Sequence, residues 1–197
     1  MNLQAVGLGI VWFVGGIVFA SLAEYWAHRL MHQVRWLGKV HRRHHARTTA
    51  QGVLLEYLEY VRKLCWLMWP PFVVSVPAGV GWLMGTNVFA MFSAFAHQVQ
   101  HENPTKCFWL SMPIHFVHHA HNQWYDNFGV TLDVWDRVFG TYKRLEWQDR
   151  VKPQHAKPGR PIWQINWLYG GNSDRAASAI KEHKTIEHNV PNPKTDF

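Results

Sequence analysis

Histidine is the residue type whose number and spacing could do chemistry: the chain has 14 in 197 residues, against 2 cysteines. Ten of them form four groups. His28 and His32 are four apart, as are His97 and His101; His41, His44 and His45 make His-x-x-His-His, and so do His115, His118 and His119. A pair followed by a triplet therefore occurs twice. Neutral imidazole is a common nitrogen ligand for Zn, Fe, Cu and Ni, and residues four apart on a helix share a face about one turn apart. A single pair is usually incidental, but the repeated pattern reads as ligands converging on metal. All ten are candidate metal-binding and catalytic residues. One ion cannot use ten imidazoles, since structural zinc takes four ligands and catalytic zinc three from the protein. Five per ion across two ions, with positions left open for oxygen or water, accounts for the number. Imidazole ligation does not by itself choose iron over zinc, and the Irving–Williams order favours zinc in a purified sample. His121 extends the last group but breaks the repeat, and His155, His183 and His188 stand in polar, Pro- or Lys-rich surroundings where a surface position is the default.

The elements that must hold these groups are apolar. Residues 1–23 and 64–101 carry no Asp, Glu, Lys or Arg, so all 33 charged side chains lie outside those stretches. Residues 3–23 are about the ~20 needed to cross a hydrocarbon core of ~30 Å. A cleaved signal peptide fits less well, because a basic leader and a small-residue cleavage site are missing. Residues 64–96 are too long for one span and short for two, and Pro70, Pro71, Pro77, Gly79, Gly81 and Gly85 interrupt them. The expected form is a helical hairpin with its tip near residues 79–87. One span plus a hairpin puts residues 24–63 and 97–197 on the same side. Residues 24–63 hold eight basic against three acidic side chains, which places that side in the cytoplasm by the positive-inside rule. The net charge of +7 is thus explained by topology, and nucleic acid is not the expected partner. The expected fold is all-α: an integral membrane, multi-pass helical protein with a cytosolic histidine-rich cap over a dinuclear metal site. Residues 1–150 form the membrane domain and 151–197 a polar cytosolic extension, with a short helix at 174–188 and a loose tail at 191–197. Two cysteines exclude a disulfide scaffold and a thiolate zinc site, and Cys65 and Cys107 suit a reducing compartment.

The two pair-plus-triplet boxes, with Asn127-Phe128-Gly129 and Trp135-Asp136-Arg137-Val138-Phe139-Gly140-Thr141-Tyr142, resemble the fatty acid hydroxylase / sterol desaturase superfamily of membrane di-iron oxygenases over roughly residues 20–145. The boxes recur in several membrane di-iron families; the Trp-Asp-Arg-x-Phe-Gly-Thr segment is more particular to this one. The resemblance implies an oxidoreductase in which the ten histidines hold two Fe ions. It implies O2 and two electrons from a separate donor, cytochrome b5-like or ferredoxin-like, and hydroxylation or desaturation of a lipophilic substrate, a fatty acyl lipid or sterol-like molecule. Hydroxylation is slightly favoured, since it needs one hydrogen abstraction rather than two. Carotenoid hydroxylases share the boxes but usually lack the tail segment, and are the second choice. A non-catalytic metal-binding or transport protein would place His or acidic groups within the two apolar stretches, and a zinc hydrolase would need about three ligands and a base. Ligand histidines usually rest their other ring nitrogen on a carboxylate or carbonyl. Glu24, Glu56, Glu59, Glu102, Asp126, Asp133 and Asp136 are the carboxylates near the boxes, and one or two of them are expected in that role. Asp136 could equally pair with Arg137. Arg42, Arg43 and Arg47 are expected as a solvated or headgroup-facing patch.

Overall fold

A computed structural model describes residues 2–152 and 161–168. His155, His183 and His188, the expected helix at 174–188 and the expected tail at 191–197 lie outside the described residues. Among the described residues there are helices and no strand. The order is α1 (Leu3–Gln33), α2 (Gly38–Arg47), α3 (Val53–Leu64), α4 (Val76–Glu102), α5 (Ile114–Ala120) and α6 (Val134–Val138).

The helix that begins in the N-terminal charge-free stretch does not end where the charges begin. Asn2 caps α1 by accepting the Ala5 N–H at 2.8 Å, and the helix then runs 31 residues, about 46 Å at 1.5 Å per residue. Its last two turns carry His28 and His32 beyond the apolar part. Ser75 caps α4 in the same way, accepting the Ala78 N–H at 3.2 Å, and α4 ends at Asn103 just before Pro104. α1 and α4 are both long and apolar enough to cross a membrane. They pack parallel, so both C-terminal ends, with their histidine pairs, reach the same end of the molecule. Close approach needs glycine: a Cβ on Gly81 would lie 2.1 Å from the Gly9 carbonyl oxygen, and one on Gly85 2.1 Å from that of Phe13. The opposite face of α1, with Leu3, Ile10, Val11, Val14 and Val18, is exposed.

The structure corrects the expected hairpin. Residues 79–87 are not its tip but lie inside α4. The reversal occurs earlier, through two 3-10 turns at Cys65–Leu67 and Pro70–Val73. Pro77 stands in the first turn of α4, where a missing N–H costs nothing, and the glycines serve helix packing rather than chain reversal. The returning arm is α3, antiparallel to α4: Tyr57 donates to Asn87 Oδ1 at 2.8 Å and Trp82 Nε1 to the Leu67 carbonyl at 3.0 Å. This arm is not free of charge, since Glu59 pairs with Arg62 and Lys63 along it.

A small core at the histidine end, built on Met112, Ile114, Phe116 and Val117 with Leu145 and Trp147 against it, seats α5. Beside it, the Trp-Asp-Arg segment folds back on α1: Trp135 Nε1 donates to Ser21 Oγ at 3.0 Å, and Tyr25 stacks on Phe139 at 5.2 Å.

Candidate metal centre

The structure brings all ten sequence-selected histidines together, and their Nε2 atoms converge. His28, His32, His41, His45 and His118 form one group, and His44, His101, His115 and His119 a second; within each group ligand atoms lie within 4.8 Å of one another. His97 joins the second group, its Nε2 3.1 Å from that of His44. Each group takes the pair from one long helix, the i, i+4 pair from one triplet and the remaining histidine of the other triplet. His44 and His45 are neighbours in sequence yet serve different groups, because adjacent helical residues point about 100° apart. His118 and His119 divide in the same way. His121 stands apart, its ring nitrogen donating to the Glu146 carbonyl at 3.0 Å.

Backbone carbonyls fix four of the rings. Nδ1 of His28 lies 2.6 Å from the Phe128 carbonyl, His118 3.0 Å from Asp126, His44 3.2 Å from Thr49 and His101 3.2 Å from Thr48. A carbonyl only accepts, so these four rings carry their hydrogen on Nδ1 and present a bare lone pair at Nε2. The consequence is sharpest at His44 and His101. Both donate from Nδ1, yet their Nε2 atoms face each other at 3.2 Å. Two lone pairs in that position repel unless a cation lies between them. Burial and neighbouring rings also push the imidazoles of His41, His45, His115 and His119 below their usual pKa; burial does the same to His44 and brings His118 down to about 3. The rings are therefore neutral donors of electron pairs.

The spacing fits a metal ion with more than four ligands. A metal–nitrogen bond of about 2.1 Å puts ligands at right angles about 3.0 Å apart and tetrahedral ones about 3.4 Å apart. The contacts in the first group run from 2.9 Å (His41 to His32) to 3.3 Å (His32 to His28); those in the second run from 3.1 to 3.2 Å.

The carboxylates divide by role. Glu56 lies beside a ring, its Oε1 3.6 Å from His97 Nδ1. Asp136 does not pair with Arg137, which reaches Asp133 at 2.7 Å instead. Its buried carboxylate accepts from the Phe128 N–H at 2.8 Å, the Gly129 N–H at 2.7 Å and the Thr141 hydroxyl at 2.7 Å. That clamp holds the very loop whose Phe128 carbonyl supports His28. Glu24, one turn before His28, bonds Ser93, one turn before His97, and takes the Thr131 hydroxyl at 2.6 Å. It ties the two long helices to the same loop. Glu102 accepts from Gln98 and from the Asn166 N–H, and Asp126 meets Lys143. Sequence reading missed Gln100, which donates to the Val130 carbonyl at 2.6 Å and accepts the His115 N–H at 2.8 Å. It also missed Trp124, stacked on His45 at 5.8 Å. A lone amide and a half-buried indole carry no spacing signal.

A cleft of about 1740 Å³ reaches both groups from between α1, α3 and α4. His28, His41, His44, His97, His101 and His115 open onto it.

Comparison with known proteins agrees with the residue pattern. The family model described as fatty acid hydroxylase matches residues 13–141. The human alkylglycerol monooxygenase is 26% identical over 129 residues, 60% of this chain and 28% of that protein. The Xenopus tropicalis protein of the same name is 25% identical over 122 residues, 60% of this chain and 27% of its own. A Dictyostelium discoideum protein carrying the name methylsterol monooxygenase is 26% identical over 144 residues, 68% of this chain and 53% of its own. The chain thus spans between 27% and 53% of these relatives' lengths. No solved structure matches it.

Proposed function

Because the chain belongs to the fatty acid hydroxylase family, we propose that it is a membrane-bound di-iron oxygenase acting on a lipophilic substrate. The observation that carries this reading is the pair of bare Nε2 atoms on His44 and His101, fixed 3.2 Å apart by two carbonyls. That arrangement is built to hold a cation, and the carbonyl-held rings of His28 and His118 present bare Nε2 atoms in the other group. His28, His32, His41, His45 and His118 would hold one iron, and His44, His97, His101, His115 and His119 the other.

Iron bound there supplies oxygen activation which, with two electrons from a separate donor, is strong enough to break an unactivated C–H bond. A hydroxylation overall would place one oxygen atom in the substrate and release the other, with the two electrons and two protons, as water. The residues of the chain do the rest. Carbonyls at Phe128, Asp126, Thr48 and Thr49 keep four rings in one tautomer. Asp136 and Glu24 keep the supporting loop and the two long helices in register. The cleft takes an apolar chain against Phe19, Ala20, Leu64, Leu67 and Phe89 and leads it to the metals while keeping bulk water away from the reacting carbon.

Hydroxylation is preferred to desaturation because the relatives carry monooxygenase names. The exposed apolar face of α1 supports a membrane setting, with α1 and α4 as the membrane segments and the metal centre at their cytoplasmic ends. Residues 1–150 are proposed as the membrane oxygenase unit and 151–197 as its extension. A donor of the cytochrome b5 or ferredoxin type would approach the cytoplasmic side.

The test is metal analysis joined to turnover. The full chain, purified in detergent and loaded anaerobically with ferrous iron, should hold two irons and oxidise a lipid only with oxygen and reductant. One metal per chain, or oxygen-independent ester hydrolysis, would contradict the reading.

A further inference from the structure

The two faces of α2 need different surroundings. The inner face carries His41, His44 and His45, three of the ten converging rings, and among the helix residues whose side chains are described only Gly38 and His41 are buried. The outer face and the turn before it present Arg35, Trp36, Leu37, Lys39, Val40 and Arg43, all exposed, with Trp36 78% and Val40 67% open. The cations there lack counter-charge. From residue 25 to residue 55 the sequence holds six Arg and Lys and no Asp or Glu. Among the described residues no carboxylate pairs with Arg35, Lys39 or Arg43. Lys39 and Arg43 are four apart, so their like charges weaken the helix, and α2 has no side-chain cap to offset this. Arg42 turns back instead and donates to the Arg35 carbonyl at 2.9 Å. The outer face therefore calls for a partner that is both anionic and apolar.

The position of α2 identifies that partner. The exposed stripe of α1 steps from Val11 through Val14 and Val18 to Trp26 and Leu30, the intervals of one helix face. It continues two turns past Ala23, where the charge-free stretch ends. Leu30 then joins Trp36, Leu37 and Val40 on one surface at the mouth of the cleft. α2 is seated close by: a Cβ on Gly38 would lie 2.1 Å from the Met31 carbonyl oxygen, and His41 meets His28 and His32 at 3.0 and 2.9 Å. It thus lies beside residues 28–32, about 8–14 Å along α1 beyond Ala23. The headgroup layer is about 5–8 Å thick on each side of the hydrocarbon, and Trp, Lys and Arg side chains span the remaining distance. Tryptophan among basic residues at that depth is the composition of a helix lying on a membrane. An acidic protein would meet the cations but leave the continuous stripe of α1 and α2 uncovered.

We propose that the outer face of α2 binds the headgroups of anionic phospholipids, and that this contact holds three of the candidate metal ligands in place, so that metal retention depends on the charge of the membrane. It rests on the reading of α1 as a membrane segment. Each cation beside an anionic surface strengthens the attraction roughly fivefold. α2 supplies His41 and His45 to one group and His44 to the other, so a neutral bilayer should loosen both sites together.

The test needs no turnover. The full chain is placed in nanodiscs of phosphatidylcholine with or without phosphatidylglycerol, and zinc, which has no redox chemistry, is competed away with a chelator, empty discs serving as blanks. The anionic discs should raise zinc affinity about tenfold at both sites, the size of effect that supporting contacts have on ligand histidines. The double variant Lys39→Gln, Arg43→Gln should hold zinc equally in the two discs, at the level of the unaltered chain in the neutral one. Contact is read separately, with a fluorophore on Val40→Cys in a Cys65→Ser background, Cys107 being buried. Phosphatidylglycerol spin-labelled near the top of its acyl chain should quench it more than phosphatidylcholine labelled in the same place. A fluorophore on Val14→Cys, on the stripe of α1, reports the membrane itself. Equal zinc affinity of the unaltered chain in the two discs overturns the proposal, as does a Val40 probe open to aqueous iodide and untouched by either lipid while the Val14 probe is quenched. An unquenched Val14 probe overturns the membrane reading of α1, and this proposal with it.

Discussion

Replacing Asp136 by Asn should weaken one metal site more than the other. Asp136 is fully buried and accepts from two backbone N–H groups, of Phe128 and Gly129, and from the Thr141 hydroxyl. Asparagine keeps one oxygen and turns an NH2 group toward donors, so at least one buried N–H loses its acceptor. An orphaned donor costs about 1–3 kcal/mol, and the remaining bond loses its charge assistance, about 1 kcal/mol more. The sum, roughly 2–4 kcal/mol, corresponds to a fall in Tm of about 4–16 °C for a chain of this size. The metal consequence is local. The displaced loop carries the Phe128 carbonyl that holds His28 Nδ1 at 2.6 Å, and such supporting contacts are worth about 10–100-fold in metal affinity. His28 belongs to the group with His32, His41, His45 and His118. Titration with a chelator should therefore strip one metal early and leave the second at its usual affinity. Unchanged Tm with both metals retained, or equal loss of both, would refute the reasoning.

Other outcomes follow from the same geometry. His44→Ala should lower the metal held by the second group, and His45→Ala that held by the first, although the two residues are adjacent; metal counting with site-specific spectroscopy separates them. Gly85→Ala places a Cβ 2.1 Å from the Phe13 carbonyl oxygen, so α1 and α4 must part and the variant should lose roughly 2–4 kcal/mol, read as thermal stability in detergent. Acid should release metal and destabilise the fold. His118 has a folded pKa of about 3 against 6.5 unfolded, so the unfolded chain binds more protons between those values and stability falls as pH drops below 6.5. A pH series of Tm and bound metal checks this; flat stability from neutral to acid contradicts it. Single cysteines at Thr49 and Asp149 should resist a membrane-impermeant reagent added outside intact cells, and labelling of either would overturn the shared cytoplasmic face.

Much of the histidine cluster was legible because side chains that converge from helices leave a spacing signature. Four-residue spacing marks a helix face, and a pattern that occurs twice matches the two histidine groups. The division of His44 from His45, and of His118 from His119, needs the rotation of real helices and was not legible. Nor were the supports. Carbonyls of Phe128, Asp126, Thr48 and Thr49 carry no side-chain identity, and Asp136 looked as suited to an ion pair with Arg137 as to the clamp it makes. The misplaced hairpin has a related cause. Glycine and proline serve both chain reversal and helix contact, and only the carbonyls of Gly9 and Phe13 against Gly81 and Gly85 distinguish the two. The extent of α1 was legible in its apolar part, whereas its last two turns depend on Tyr25 and His28 packing against the loop that Asp136 holds.

The central claim is that oxygen activated between these histidines reaches a lipid lying in the cleft. Its most direct test is product analysis under isotope-labelled oxygen gas, with the iron-loaded full chain, reductant and membrane lipid extract. The account predicts an alcohol carrying one labelled oxygen atom, lost in His44→Ala and His118→Ala variants. An alcohol whose oxygen comes from water, or product formed equally well without oxygen gas, would contradict it.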